Sequence, residues 1–270
     1  MTTDETSDFD PNAYWEERLS DDYTLEGVGW SSLGEALNQW MYRVRGQVFL
    51  REMRTLFGSA GDLEVLDIGS GTGFYVERWH EFGVRHVVGS DLTAVAVSNL
   101  RSRFPTDEFV QLDVGSEQSP FGERRFDVVS AFDVLFHIVH DERFLRALRN
   151  VHELLAIGGV FVLTDNFVQG EAMRGRHQTS RPLAEIEQAL TQCGFRVERR
   201  RPVFVLLNTP VDSDSRILRA WWKFLAIAAS RSNALGWALG ATAYPIELAL
   251  TRVLREGPST ELMICRRPAP

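Results

Sequence analysis

Three aspartates stand at the ends of apolar runs, where carboxylates can accept hydrogen bonds from a diol, an amino group or an ammonium. Asp67 belongs to Val65-Leu66-Asp67-Ile68, Asp91 closes His86-Val87-Val88-Gly89-Ser90, and Asp113 follows Phe109 to Leu112. After the first run come Gly69, Gly71 and Gly73, with Ser70 and Thr72 between them. Glycines so spaced let a backbone turn sharply and approach a ligand closely. Val65, Leu66 and Ile68 suit a strand covered on both faces. A helix from about Thr72 to Phe82 would aim its N-terminal amides into the same space. A strand-end Asp that merely caps this helix would explain Asp67 but not the glycines. These residues predict a nucleotide-like cofactor.

Two such cofactors compete. A dinucleotide turn begun at Gly69 and Gly71 needs a third glycine where Phe74 stands, and its pyrophosphate would be repelled by Asp67. The ammonium of S-adenosylmethionine (SAM) would welcome that carboxylate. Asp91 lies roughly 20 residues beyond the first glycine, where an acidic side chain can take both ribose hydroxyls. Leu92 would pack on the adenine, Asp113 would meet its amino group, and the Val114 N–H a ring nitrogen. Val65 to Gly73, Val87 to Leu92, Gln111 to Val114 and Phe126 to Ile138 together resemble the class I SAM-dependent methyltransferases, over roughly residues 60 to 208 and the last strand. The resemblance implies SAM as cofactor and S-adenosylhomocysteine (SAH) as product. It also implies that Phe132 and its neighbours border the transferring methyl, and that Arg45, on the helix before the first strand, pairs with the SAM carboxylate. A solvated helix face is the competing reading of Arg45. Tyr14, with Trp15, would close over the cofactor or dock the N-terminus on the core.

Methyl transfer to oxygen or to an acidic carbon requires loss of a proton, so a base near the fourth strand end would help. His137, in Phe132-Asp133-Val134-Leu135-Phe136-His137-Ile138, is the candidate, since imidazole titrates near neutrality. It could equally shape the loop by hydrogen bonding. Asp133 reads as a loop-ordering residue and His140 as solvent-facing. No metal site is expected, because the His137 and His140 pair has no third histidine nearby in sequence.

The elements that must position these residues alternate strand and helix, which predicts an α/β Rossmann-like fold. The expected sheet is doubly wound, mostly parallel and seven-stranded, with an antiparallel last strand. Strands are expected at 64–68, 86–90, 109–112, 126–131, 160–165, 196–207 and 260–266. The reading divides the chain into a disordered tail (1–11), an N-terminal helical cap (12–60), a SAM-binding core (61–208), a helical insertion (209–257) and the last strand (258–270). In the cap, Ser32-Leu33-Gly34-Glu35 has capping-box spacing, and Leu37, Met41, Val44 and Val48 form a helical stripe. The insertion is read as a substrate lid, a membrane contact or an interface.

A net charge of −8 argues against a nucleic-acid partner, and two cysteines without a paired motif suit a reducing cytoplasm. No transmembrane segment is expected, although the basic, apolar run near Arg216 could rest on a membrane. Tryptophans concentrate in cap and insertion, which points to a small hydrophobic or ring-bearing acceptor, or to ordinary helix packing. The resulting expectation is a monomeric or homodimeric methyltransferase acting at oxygen. C-methylation of a quinone-like or lipid-like acceptor and a non-catalytic SAM-binding or SAH-binding partner protein are the alternatives.

Overall fold

A computed structural model describes residues 9–211 and 213–269. The strands are β1 (Val65–Ile68), β2 (Val87–Asp91), β3 (Glu108–Gln111), β4 (Phe126–Phe132), β5 (Leu155–Asp165), β6 (Arg196–Pro202) and β7 (Glu261–Arg266). The helices are α1 (Pro11–Asp21), α2 (Leu25–Val28), α3 (Gly34–Phe57), α4 (Phe74–Phe82), α5 (Ala94–Arg103), α6 (Asp141–Leu154), α7 (Leu183–Gln192), α8 (Arg216–Arg231) and α9 (Asn233–Val253). All seven strands join one sheet in the order β3-β2-β1-β4-β5-β7-β6. β7 is antiparallel to both neighbours, and the pairs among β1 to β5 are parallel. A separate two-stranded hairpin, Met173–Arg174 with Thr179–Ser180, lies in the loop after β5.

Alternation along the strands divides the core into two layers, as a sheet covered on both faces requires. Val65, Val87, Val128 and Val160 pack with α3, α4 and α5, while Leu66, Val88, Val129 and Phe161 pack with α6 and α7. The stripe of α3 behaves as its spacing predicts, with Leu37, Met41, Val44 and Val48 all buried. β1 pairs with β2 on one side and β4 on the other, so a crevice opens beyond its C-terminal end, where such sheets hold ligands.

Several sequence expectations shift locally. The tail expected over 1–11 falls mostly on residues outside the described part, and Pro11 already opens α1, with Asp10 accepting from the N–H groups of Asn12 and Ala13. No capping box forms at Ser32: Ser31–Leu33 is a 3-10 turn, and α3 starts at Gly34, whose φ of +72° breaks that geometry. β5 begins at Leu155, not at 160, because α6 ends at Leu154 and Leu155 is already extended beside Phe126. The sixth strand stops at Pro202 because the N–H groups of Val205, Leu206 and Leu207 turn to the buried Glu247 carboxylate of α9, at 2.7, 2.8 and 3.2 Å.

Candidate cofactor and acceptor site

Beyond β1 the chain enters its glycine turn with Gly69, Gly71 and Gly73 all at positive φ. A Cβ on Gly69 would collide with the Val134 side chain. Glycine at this position lets the turn and the loop after β4 approach closely. Asp67 lies beneath the turn: its carboxylate accepts from Ser70 Oγ at 2.9 Å and Ser130 Oγ at 2.6 Å, and Trp79 Nε1 donates to Ser130 Oγ at 3.2 Å. It is buried and absent from the cavity wall, and burial pushes its carboxyl up to about 7. The neighbouring Ser70, Gly69 and Gly71 do line the cavity, whereas Gly73, also expected there, is off the wall and lies against Phe104 and Leu100.

Asp91, at the end of β2, lines the cavity and accepts from the N–H groups of Gly71 and Thr93 at 2.9 and 3.0 Å and from Thr93 Oγ1 at 2.7 Å. Burial raises its carboxyl, against the pull of those donors. Leu92, Asp113, Val114 and Phe132 share the wall. Asp113 is paired with Arg143 at 2.5 Å and accepts from the Gly115 N–H at 2.9 Å. Phe132 stacks on Tyr75 with ring centroids 3.8 Å apart.

Arg45 reaches the same cavity from α3, where it is ion-paired with Asp133. Asp133 is the one non-glycine described residue with positive φ, at 59°. Thr164 Oγ1 holds it there, accepting from its N–H at 2.9 Å and donating to its carboxylate at 3.0 Å. Tyr42 and Tyr75 crowd the Arg45 guanidinium, and burial pushes the Tyr42 phenol up to about 12.

His137 lies in a 3-10 turn over Leu135–His137 and lines the cavity. Its Nδ1 is 2.9 Å from the His177 carbonyl, which can only accept. Nδ1 therefore carries the proton and Nε2 the lone pair. Burial lowers the imidazole to about 4, so it is neutral at pH 7. Trp15 packs edge-on against it at 4.9 Å. Tyr14 is not on the wall; it stacks on His177 at 5.6 Å and accepts from Arg18 Nη1 at 3.1 Å. α1 is held over the cavity by Asn12 Nδ2, donating to the Leu92 carbonyl at 3.1 Å, and by Glu16, which accepts from the N–H groups of Ala94 and Val95 at 2.8 and 3.1 Å. His140 is exposed, and among the described residues no cluster of three His, Cys, Asp or Glu could hold a metal ion.

The wall also includes residues that the sequence reading did not single out: His177, Asn166, Asn208 and Thr260. Asn208 Nδ2 donates to Thr260 Oγ1 at 3.0 Å, which donates to Asn166 Oδ1 at 2.9 Å. This polar edge unites three separate connections, and no local spacing announces it. The insertion tryptophans instead support the cap, Trp222 meeting Trp30 at 6.1 Å and Trp237 meeting Trp40 at 5.9 Å.

A glycine turn after β1, acidic ends on β2 and β3, and this strand order define a Rossmann-like methyltransferase fold. Residues 65–159 match the methyltransferase domain family, in agreement with the resemblance to SAM-dependent methyltransferases carried by the sequence motifs. It is similar to a tRNA U34 carboxymethyltransferase of Methylococcus capsulatus, 30% identical over 61% of this chain and 52% of that protein. It is also similar to a demethylmenaquinone methyltransferase of Chlorobaculum tepidum, 27% identical over 41% and 43% of the two chains. The chain spans about half the length, or less, of the curated relatives it matches. Among solved structures, the N-methyltransferase NodS of Bradyrhizobium japonicum WM9 in complex with SAH shares the fold at a TM-score of 0.59, with 15% identity over 97% of this chain and 100% of that one.

Proposed function

We propose that this protein transfers the methyl group of SAM to a small hydrophobic, ring-bearing acceptor, with oxygen as the receiving atom. The observation that carries the reading is a cavity of about 1180 Å³ that contains the glycine turn and is also lined by Trp15, Trp30, Met41, Phe136 and His137. One bound ligand usually occupies roughly 300–1,000 Å³, so this space suits a cofactor together with a modest second molecule. The donor set fits SAM. Asp91 would take the ribose hydroxyls, Leu92 an adenine face, the Val114 N–H a ring nitrogen, and Asp113 the adenine amino group. Arg45 would take the methionine carboxylate, and a guanidinium with five donors can do so while keeping Asp133. Asp67 would act through the turn by fixing Ser70, and Tyr14 by holding α1 over the site.

When bound, SAM supplies a methyl on a sulfonium, whose transfer leaves a neutral thioether. The protein's task is alignment and exclusion of water. Neutral His137 would accept the proton of a phenol or enol at Nε2 while the His177 carbonyl keeps its ring oriented. The aromatic wall of α1 and α3 would shield the reacting atoms.

C-methylation of a quinone-like or lipid-like acceptor is the second reading, favoured by the similarity to a demethylmenaquinone methyltransferase. A tRNA acceptor, suggested by the name of the other relative, is opposed by the net charge of −8 and by the cover that α1 lays over the cavity. The test is SAH release from SAM with phenols, quinols and bulk tRNA offered separately, and the methylated atom read by mass spectrometry. Saturable turnover of phenols with a new O-methyl group is expected. Turnover of quinols at carbon, or of tRNA, would replace the oxygen reading, and SAH binding without turnover of any class would favour a partner protein.

A further inference from the structure

The surface made by α8 and α9 has a composition unlike the rest of the chain. Between Ser215 and Arg255 stand six cationic side chains, Arg216, Arg219, Lys223, Arg231, Arg252 and Arg255, all exposed, in a protein whose net charge is −8. The acidic residue of that stretch, Glu247, is buried against the backbone after β6, and Asp214, just before the stretch, pairs with Arg219 at 3.8 Å, which leaves the other five cations to set the charge of the surface. Apolar side chains lie open beside these cations: Ile217 is 81% exposed, Phe224 55% and Val253 79%.

Helical periodicity explains why they are open. Ile217, Phe224 and Ile227 share one side of α8, while Leu225 and Ala229 on another side are buried. On α9 the buried set is Gly236, Gly240, Ala243, Glu247 and Thr251, and Leu235, Ile246 and Val253 project away from it. Each helix therefore has one apolar face committed to α3 and the core, and a second that meets solvent.

We propose that these outward faces of α8 and α9 rest on the surface of an anionic lipid bilayer. Exposed apolar groups would enter the headgroup boundary, and the flanking Arg and Lys would reach the lipid phosphates along their aliphatic stems. Charge decides between this occupant and a second copy of the chain. A two-fold interface sets a patch against itself and would bring cations onto cations, whereas anionic headgroups neutralise them. Among the described residues no helix is long and apolar enough to cross a membrane, so the contact is peripheral. The surface adjoins the cavity: Thr209, Pro210 and Val211 line it and lead into α8, and Trp222 of α8 packs on the cavity residue Trp30. The inference stands whatever the acceptor proves to be.

The test is sedimentation of the full chain with vesicles of phosphatidylcholine alone and of phosphatidylcholine with an equal part of phosphatidylglycerol, at low and high salt. Binding is expected to the phosphatidylglycerol vesicles, to weaken with salt and to be much lower on neutral ones. A basic residue near such a surface is worth about five-fold in partition, so Arg216→Gln with Lys223→Gln should lower it about 25-fold. Ile217→Ser with Phe224→Ser should also reduce binding, and unchanged SAH affinity in both variants would show that the fold survives. Failure of the parent to bind anionic vesicles at low salt, or equal binding by parent and folded variants, would overturn the proposal. So would a concentration-dependent dimer in ultracentrifugation that the Ile217 and Phe224 substitutions abolish while vesicle binding is absent.

Discussion

Asp67 and Asp91 sit on adjacent strands and differ in what they face. Asp67 is enclosed by two serine hydroxyls below the turn, whereas Asp91 holds the turn through the Gly71 N–H and also borders the cavity. A carboxylate that accepts two ribose hydroxyls makes charge-assisted bonds worth about 1.5–3 kcal/mol each. Asp91→Ala is therefore expected to weaken SAH binding by on the order of 100-fold in calorimetry, and an unchanged affinity would remove the ribose assignment. His137 gives a second residue-scale expectation. Because burial holds it near 4, a rate that depends on its neutral form should stay level across neutral pH and fall only as acid approaches pH 4. His137→Ala should lower turnover by about 100-fold or more while leaving SAH affinity in place. A limb near the ordinary 6.5, or full activity in the variant, would mean that the imidazole only shapes its loop.

At the scale of elements, one side chain of α9 organises the segment that leaves the sheet after β6. Glu247 satisfies three backbone N–H groups where β6 leaves the sheet, so the insertion supplies partners that the core cannot find for itself. Glu247→Ala would leave those donors buried and unpaired, at about 1–3 kcal/mol for each. A fall of several kcal/mol in chemical denaturation is expected, and a loss below about 1 kcal/mol would show that water replaces the carboxylate. This docking also marks where sequence reading runs out. β1, its turn, β2 and the helical stripe of α3 are legible because their signals are local: apolar runs, glycine spacing and a period near four. Glu247 and Val205, or Asn166, Asn208 and Thr260, are partners across dozens of residues, and no short spacing joins them. The aromatic residues of cap and insertion were visible as a concentration, but which of them face the cavity and which brace α3 depends on how α8 and α9 pack.

For the molecule as a whole, two buried carboxyls place a pH term on stability. Asp67 and Asp165 are each pushed from an ordinary 3.8 up to about 7, chiefly by burial. A raised carboxyl means that the folded state holds its proton more tightly than the unfolded chain. Its stabilising contribution is complete below about pH 3.8 and is lost as pH climbs through about 7. Asp67→Asn keeps the shape without the charge. Its melting temperature relative to the parent is expected to rise between about pH 4 and 7, and a constant difference across that window would place the Asp67 pKa elsewhere.

The position of β7 has a consequence for synthesis. Glu261–Arg266 follows the other described strands in sequence and lies between β5 and β6 in the sheet. On the ribosome β1 to β6 emerge first, and the facing edges of β5 and β6 wait with unpaired backbone groups until residue 266 clears the exit tunnel. A nascent chain stalled before Glu261 is thus a sheet with a gap in its interior. Its exposed edges are apolar on β5, so such a chain is expected to be held by chaperones or to aggregate, which pelleting of a product truncated at residue 258 would reveal. A truncated product that stayed monomeric would mean that β5 and β6 close the gap by themselves.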